Sequence, residues 1–295
     1  IDDDPMTKEF VSYWFGAKQT ADLRRLMAAI TAMEASVEDD TVLDVIRIAI
    51  SRLIVTKENG ASLARDVSHS RPHRVMLESN YEVMPAFERS IRTVRSRLLA
   101  TPPQRRATVT LGDARHMNGI SNASVDAVLT SPPYLNAIDY LRGHRLSLVW
   151  LGHRIGDLRT IRSNSIGAER GPDRREEADQ LAEMKMAMGN IEDLPKRFWG
   201  MIERYVQDLR IMLLEIARVM KHGAHATFVV GNSCLRGIFI RNSEAVSLAA
   251  RAAGLTFVTA HERELPESSR YLPITSGGPL GKRMRTETIL TFVQA

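Results

Sequence analysis

A chain of 295 residues is long enough for one large or two modest domains, each with a substantial core. It is 44% hydrophobic and 25% charged, and its single cysteine, Cys234, excludes an internal disulfide and any cysteine-cluster metal site. Net charge is +5, and no apolar run approaches the roughly 20 residues that a membrane-spanning helix needs.

The chain begins at Ile1 rather than methionine, without a signal-peptide pattern, so a further amino-terminal segment is expected. Residues 6–100 read as helical. "TADLRRLMAAITAMEA" and "TVLDVIRIAISRLIV" repeat apolar residues three and four apart, and "YEVMPAFERSIRTVRSRLLA" resumes the pattern after a loop. Pro102-Pro103 closes this region, so the predicted division is a helical region over 1–103 and an α/β domain over 104–295.

The texture then changes. "ATVTLGDAR" (107–115) and "VDAVLTSPPY" (125–134) predict two strands, the second stopped by consecutive prolines. A helical stretch follows, then an arginine-rich loop over 159–175 and a long amphipathic helix near 196–220. "HATFVVGNS" (225–233) predicts a third strand and "SEAVSLAARAAG" (243–254) a helix with Gly254 as its stop. "LTFVTAHEREL" (255–265) and "ETILTFVQ" (287–294) predict two last strands that can pair antiparallel at an edge. Strands alternating with helices predict a mostly parallel, doubly wound sheet.

The stretch 131–134, Ser-Pro-Pro-Tyr, carries chemistry at a strand end, where open α/β sheets place ligands. The Ser131 hydroxyl can accept a hydrogen bond, the Pro132 carbonyl is held stiffly by the two rings of Pro132 and Pro133, and Tyr134 offers a flat face with a polar tip. Two acceptors and an aromatic ring suit a planar amino group. Asp113, 18 residues before Ser131, ends the preceding predicted strand, although a Gly-Asp turn there is the simpler reading. Gly231 and Asn232 end another strand and are candidates for the same crevice. Asn136 either lines the pocket or caps the following helix. Cations concentrate in 65–74, 159–175 and 281–285, in Gly/Ser/Pro-containing stretches that suit a polyanion partner. A solvated basic surface is the alternative.

Residues 131–134 match the (Asp/Asn/Ser)-Pro-Pro-Tyr signature of the S-adenosylmethionine-dependent DNA methyltransferases that modify exocyclic amino groups, and the chain resembles that family, in particular bacterial modification methylases. The resemblance runs through "SPPYLNAIDYLRGHRLSLVWLG" (131–152), "SIGAER" (165–170), "VVGNS" (229–233) and "RYLP…RMRTETIL" (270–290), covering about 107–295. "WF" (14–15) and "HSRP" (69–72) tie the helical region to an insert of those proteins. It implies a Rossmann-like methyltransferase sheet with a helical insert domain for target recognition, S-adenosylmethionine as cofactor, and double-stranded DNA as substrate. Ser131, Pro132, Pro133 and Tyr134 would grip a flipped base. Asp113, Ser131, Gly231 and Asn232 would meet the cofactor. Asn136, Arg142, His144, Arg145, Arg170, Arg174 and Arg175 would meet DNA. Serine at the first position leans toward cytosine N4 over adenine N6. No metal and no membrane are expected. A bacterial, cytoplasmic and nucleoid-associated setting is, with a restriction endonuclease or a further subunit as the partner.

One family feature has no match. The loop Asp-Pro-Phe-x-Gly-x-Gly, which cradles the methionine part of the cofactor, is missing from this sequence and is expected upstream of Ile1. The alternative function is therefore a catalytically incomplete, DNA-binding subunit of methyltransferase fold that needs a partner.

Overall fold

The computed structural model describes residues 3–36, 40–56, 59–65, 73–135, 140–168, 178–265 and 286–295. The chain divides into two compact units, Ile1–Thr108 with Asp139–Arg162, and Val109–Ile138 with Ser163–Ala295. The division differs from the expected break at residue 103: the helical stretch after the Pro-Pro loop belongs with the first unit.

The first unit contains α1 (Pro5–Trp14), α2 (Ala17–Glu34), α3 (Asp40–Ile54), α4 (Val83–Ala100), α5 (Tyr140–Leu148) and most of α6 (Ile155–Asn164). The described residues between α3 and α4 are not helical. It carries a two-residue antiparallel ladder, β1 (Ala64–Arg65) with β2 (His73–Arg74). Asp4 starts α1 by accepting from the Thr7 amide at 3.0 Å, and the buried Thr7 hydroxyl accepts from the Ile155 amide at 3.0 Å. Apolar residues spaced three and four apart on α2 and α3, among them Leu23, Leu26, Ile50 and Ile54, meet Phe15, Leu146 and Trp150 in one core. Phe15 and Trp150 pack edge to face at 5.1 Å between centroids.

The second unit is built on a mixed sheet of β3 (Val125–Thr130), β4 (Met220–Gly231), β7 (Leu255–Glu264) and β8 (Thr286–Gln294), in the order β3-β4-β8-β7. Three strands run one way and β8 runs against them, so only the β3–β4 ladder is parallel. The last two strands do form an antiparallel edge pair. A small hairpin of β5 (Ser233–Leu235) and β6 (Ile238–Ile240) turns through Arg236 and Gly237, both at positive φ. α7 (Ala178–Ala187), α8 (Trp199–Val219) and α9 (Asn242–Ala252) complete the unit. β4 alternates along its length. Ala224, Ala226, Phe228 and Val230 are buried, in one cluster with Tyr205, Leu209 and Leu213 of α8 and Val246 and Ala249 of α9. Gly254, at φ +89°, follows α9 as its stop.

Two expectations fail. Residues 107–112 form no strand: Val109 is 95% exposed and Leu111 fully so. β3 is an edge strand whose outer side pairs with nothing among the described residues, so strand composition in 107–112 is not matched by any ladder. The sheet is also not wound on both faces by the described helices of this unit. They share a cluster with the even-numbered β4 residues, while Leu129 on the opposite face is 78% exposed. No described helix is long and apolar enough to cross a membrane.

Candidate active site

The parallel register places the loop. Thr130 of β3 pairs with Phe228 of β4, so Ser131 falls beside Val229, and the prolines, which have no amide donors, then end the ladder. Ser131 Oγ donates to the Val229 carbonyl at 2.9 Å. A hydroxyl has one proton. With that proton spent, the 3.1 Å contact between Ser131 Oγ and the Tyr134 hydroxyl has Tyr134 as donor. Ser131 is exposed, and its oxygen retains one lone pair for an incoming N–H. The adjacent Pro132 carbonyl accepts no hydrogen bond among the described residues. Two neighbouring acceptors are thus unspent at the strand end.

The rest of the loop is held from behind. The Tyr205 hydroxyl, on α8, donates to the Pro133 carbonyl at 3.2 Å. Burial pushes the Tyr205 phenol well above its usual range and keeps it a donor. Asn242, fully buried at the start of α9, accepts from the Leu135 amide at 3.4 Å. It also donates to the Gly231 carbonyl at 3.0 Å and to Ser233 Oγ at 3.1 Å. Ser233 Oγ in turn donates to the Leu135 carbonyl at 3.0 Å. Gly167, of the "SIGAER" stretch, sits at φ +77°, and a side chain there would stand 3.7 Å from Pro133, the Tyr134 carbonyl and Tyr205. Glycine meets that left-handed backbone without strain.

A second anchor secures the approach to β3. The buried Arg115 reaches both Asp113 oxygens through Nε and through its terminal nitrogen, at 2.7–3.2 Å. Its other nitrogen binds Asp208 of α8 at 2.7 Å. The guanidinium holds the Asp113 carboxyl below the usual carboxylate range. Glu215 accepts from the Met117 amide at 2.8 Å and from Arg218, whose hydrogen bonds hold its carboxyl down at about 2. Arg218 also reaches the Ile120 and Met117 carbonyls. One helix, α8, therefore carries Tyr205 under the loop and Asp208, Glu215 and Arg218 under the strand's entry.

Of the residues expected at the site, the structure places Ser131, Pro132, Pro133 and Tyr134 together, beside the end of β4. Gly231 and Asn232 lie there as well, with protein partners: the Gly231 carbonyl receives Asn242, and Asn232 Oδ1 accepts from the Ser243 amide and hydroxyl, both at 3.1 Å. Asp113 is linked to the loop through Arg115 and α8, and its carboxylate is taken up by four contacts from Arg115. Arg142, His144 and Arg145 lie on α5 in the first unit. His144 is exposed, whereas the Arg145 guanidinium packs over the Phe10 ring at 5.2 Å from its centroid. Asn136, Arg170, Arg174 and Arg175 lie outside the described residues. Tyr205, Asn242, Ser233, Arg115 and Asp208 were not foreseen. The signal for Asp208 was a carboxylate one helical turn from Tyr205, on the face of α8 that is otherwise apolar.

Among the described residues, no group of three His, Cys, Asp or Glu side chains is placed to hold a metal ion. No family model and no curated protein matches the chain. Solved structures of a Thermus thermophilus protein, named for an inferred role as a DNA modification methylase, do match. Its selenomethionine derivative is 17% identical, with a TM-score of 0.32, over 62% of this chain and 50% of that one. Its complex with S-adenosyl-L-methionine is 17% identical, with a TM-score of 0.34, over 62% and 54%. The chain spans about half the length of the structures it matches.

Proposed function

We propose that the chain is the base-gripping part of an S-adenosylmethionine-dependent DNA methyltransferase, acting on an exocyclic amino group, cytosine N4 in preference to adenine N6. The observation that carries this reading is the pair of unspent acceptors, Ser131 Oγ and the Pro132 carbonyl, at the carboxyl end of β3. An exocyclic amino group has two hydrogens for two such acceptors. Accepting both holds the nitrogen in place and raises electron density on it, while the Tyr134 ring supplies a surface for the base. A base paired in a duplex cannot reach this loop, so the target is flipped out. The serine at 131 and the family resemblance support cytosine N4.

S-adenosylmethionine supplies an electrophilic methyl group. Its fit to this chain is partial: Ser131, Gly231 and Asn232 end adjacent parallel strands, but Arg115 fills the acceptor positions of Asp113. The test is transfer of labelled methyl groups from S-adenosylmethionine to duplex DNA, by the chain alone and in the longest polypeptide its gene encodes. Nucleoside digestion and mass analysis then identify the base. Ser131→Ala is expected to lower transfer by on the order of 100-fold. Tyr134→Phe keeps the ring and loses one hydrogen bond of about 1 kcal/mol, for roughly a fivefold loss. Absence of transfer from every form, with intact duplex binding, refutes the enzyme.

A second reading, a methyltransferase-fold DNA-binding subunit that works only with a partner, is favoured by the occupied Asp113 and by the outer edge of β3, which pairs with nothing among the described residues. It predicts duplex binding that Ser131→Ala leaves unchanged and transfer that appears only when the partner is added.

A further inference from the structure

The first unit contains a cleft of about 400 Å3 that none of the residues above explains, lined by Ser51, Arg52, Val55, Thr56, Gly143, His144 and Ser147. It lies between the last turn of α3, with the two residues beyond it, and the middle of α5. Its chemistry is one-sided. Arg52 and His144 are exposed at its edge, and among the described residues no carboxylate lines it; of its three hydroxyls, Ser51 donates to the Ile48 carbonyl and Ser147 to the Ser51 carbonyl, which leaves the proton of Thr56. Among the described residues neither Arg52 nor His144 has an ion-pair partner, and the buried Thr56 Oγ1 has no hydrogen-bond partner. The carboxyl end of a helix ordinarily repels an anion. Here three of its last four carbonyls are already answered: Ser51 by the Ser147 hydroxyl, Leu53 by the Ala61 amide, and Ile54 by the amide and hydroxyl of Ser62. Gly143, buried and without a side chain, leaves the cleft open on the α5 side.

We infer that this cleft binds a backbone phosphodiester of DNA, with Arg52 as the cationic group and the His144 ring and the Thr56 hydroxyl as hydrogen-bond donors to phosphate oxygens. The inference rests on the proposed DNA substrate. It adds Arg52 and Thr56 to a contact surface for which sequence had named only His144 among these residues. Phosphate contacts position a protein without reading bases, so the cleft fixes where the first unit sits on the duplex and leaves the choice of sequence to other residues.

The test is duplex affinity of the full chain against salt concentration, read by fluorescence anisotropy with two unrelated duplexes. Arg52→Ala is expected to weaken both duplexes several-fold alike and to reduce the slope of log affinity against log salt by about 1, the value for one phosphate contact. Arg52→Lys keeps the slope. Thr56→Val removes a neutral donor and weakens binding with the slope unchanged. Thermal midpoints equal to that of the unaltered chain show that the variants fold. An unchanged slope in Arg52→Ala, with duplex binding intact, overturns this inference and leaves the proposed function standing. A slope that falls as expected, in a protein that transfers no methyl group in any form, supports the cleft and removes the enzyme. A chain that binds no duplex removes both.

Discussion

Replacing Asn242 with alanine tests whether the Pro-Pro-Tyr loop is held by a buried amide or merely by packing. The side chain is fully buried and makes three contacts, to the Leu135 amide, the Gly231 carbonyl and Ser233 Oγ. Asn242→Ala strands two buried backbone groups, each costing about 1–3 kcal/mol when unsatisfied. The Leu135 contact, at 3.4 Å, is long and belongs at the low end of that range. A total of about 3 kcal/mol follows, which is on the order of a 100-fold rise in opening of the loop. The assay is amide hydrogen exchange at Leu135, in Asn242→Ala, Ser233→Ala and the double variant. Ser233 bonds both Asn242 and the Leu135 carbonyl, so the two losses share a partner and are expected to be non-additive by about 1 kcal/mol. Strict additivity, or Leu135 exchange unchanged in Asn242→Ala, refutes the clamp.

Two further outcomes concern the charged anchors. Glu215 has a folded pKa of about 2, below its unfolded value, so its contribution is present above about pH 4.5 and is lost as pH falls toward 2. The thermal midpoint of Glu215→Gln is therefore expected to lie below that of the unaltered chain at about pH 6, with the gap closing through that window; a constant gap would contradict the linkage. Arg115→Ala takes the guanidinium away from the buried Asp208 carboxylate, a loss of about 3–5 kcal/mol in a denaturant titration, and the double variant Arg115→Met/Asp208→Leu is expected to recover most of it.

Local signals carried the sequence reading where they were strong. Apolar spacing in α2 and α3, the β-branched run of β3, Gly254 after α9 and the antiparallel end pair all rest on neighbours a few residues apart, and the structure has them. The stop of β3 at the Ser-Pro-Pro-Tyr loop was legible for the same reason, since two consecutive prolines contain it. Tertiary partnership was not. "ATVTL" has strand composition but joins no ladder, and composition alone does not set pairing. Asn242 and Tyr205 carry no local signal of their roles, because their partners lie 107 residues earlier and 72 residues earlier along the chain. The helical stretch 139–162 follows the loop in sequence and yet packs with the first unit, which no local pattern could announce.

The two prolines have a consequence for solubility as well as for chemistry. The outer edge of β3 has no partner among the described residues, and such an edge is a surface on which a second chain can add a strand and start self-association. Pro132 and Pro133 cut that edge to six residues, and one of the two removes the next donor that an intruding strand would need. Asp126 adds a charge to the same short strand, held by Lys221 at 2.7 Å. Replacing the prolines to study the loop would therefore lengthen an aggregation-prone edge, and gain of light scattering in such variants would report that gatekeeping separately from any change at the site.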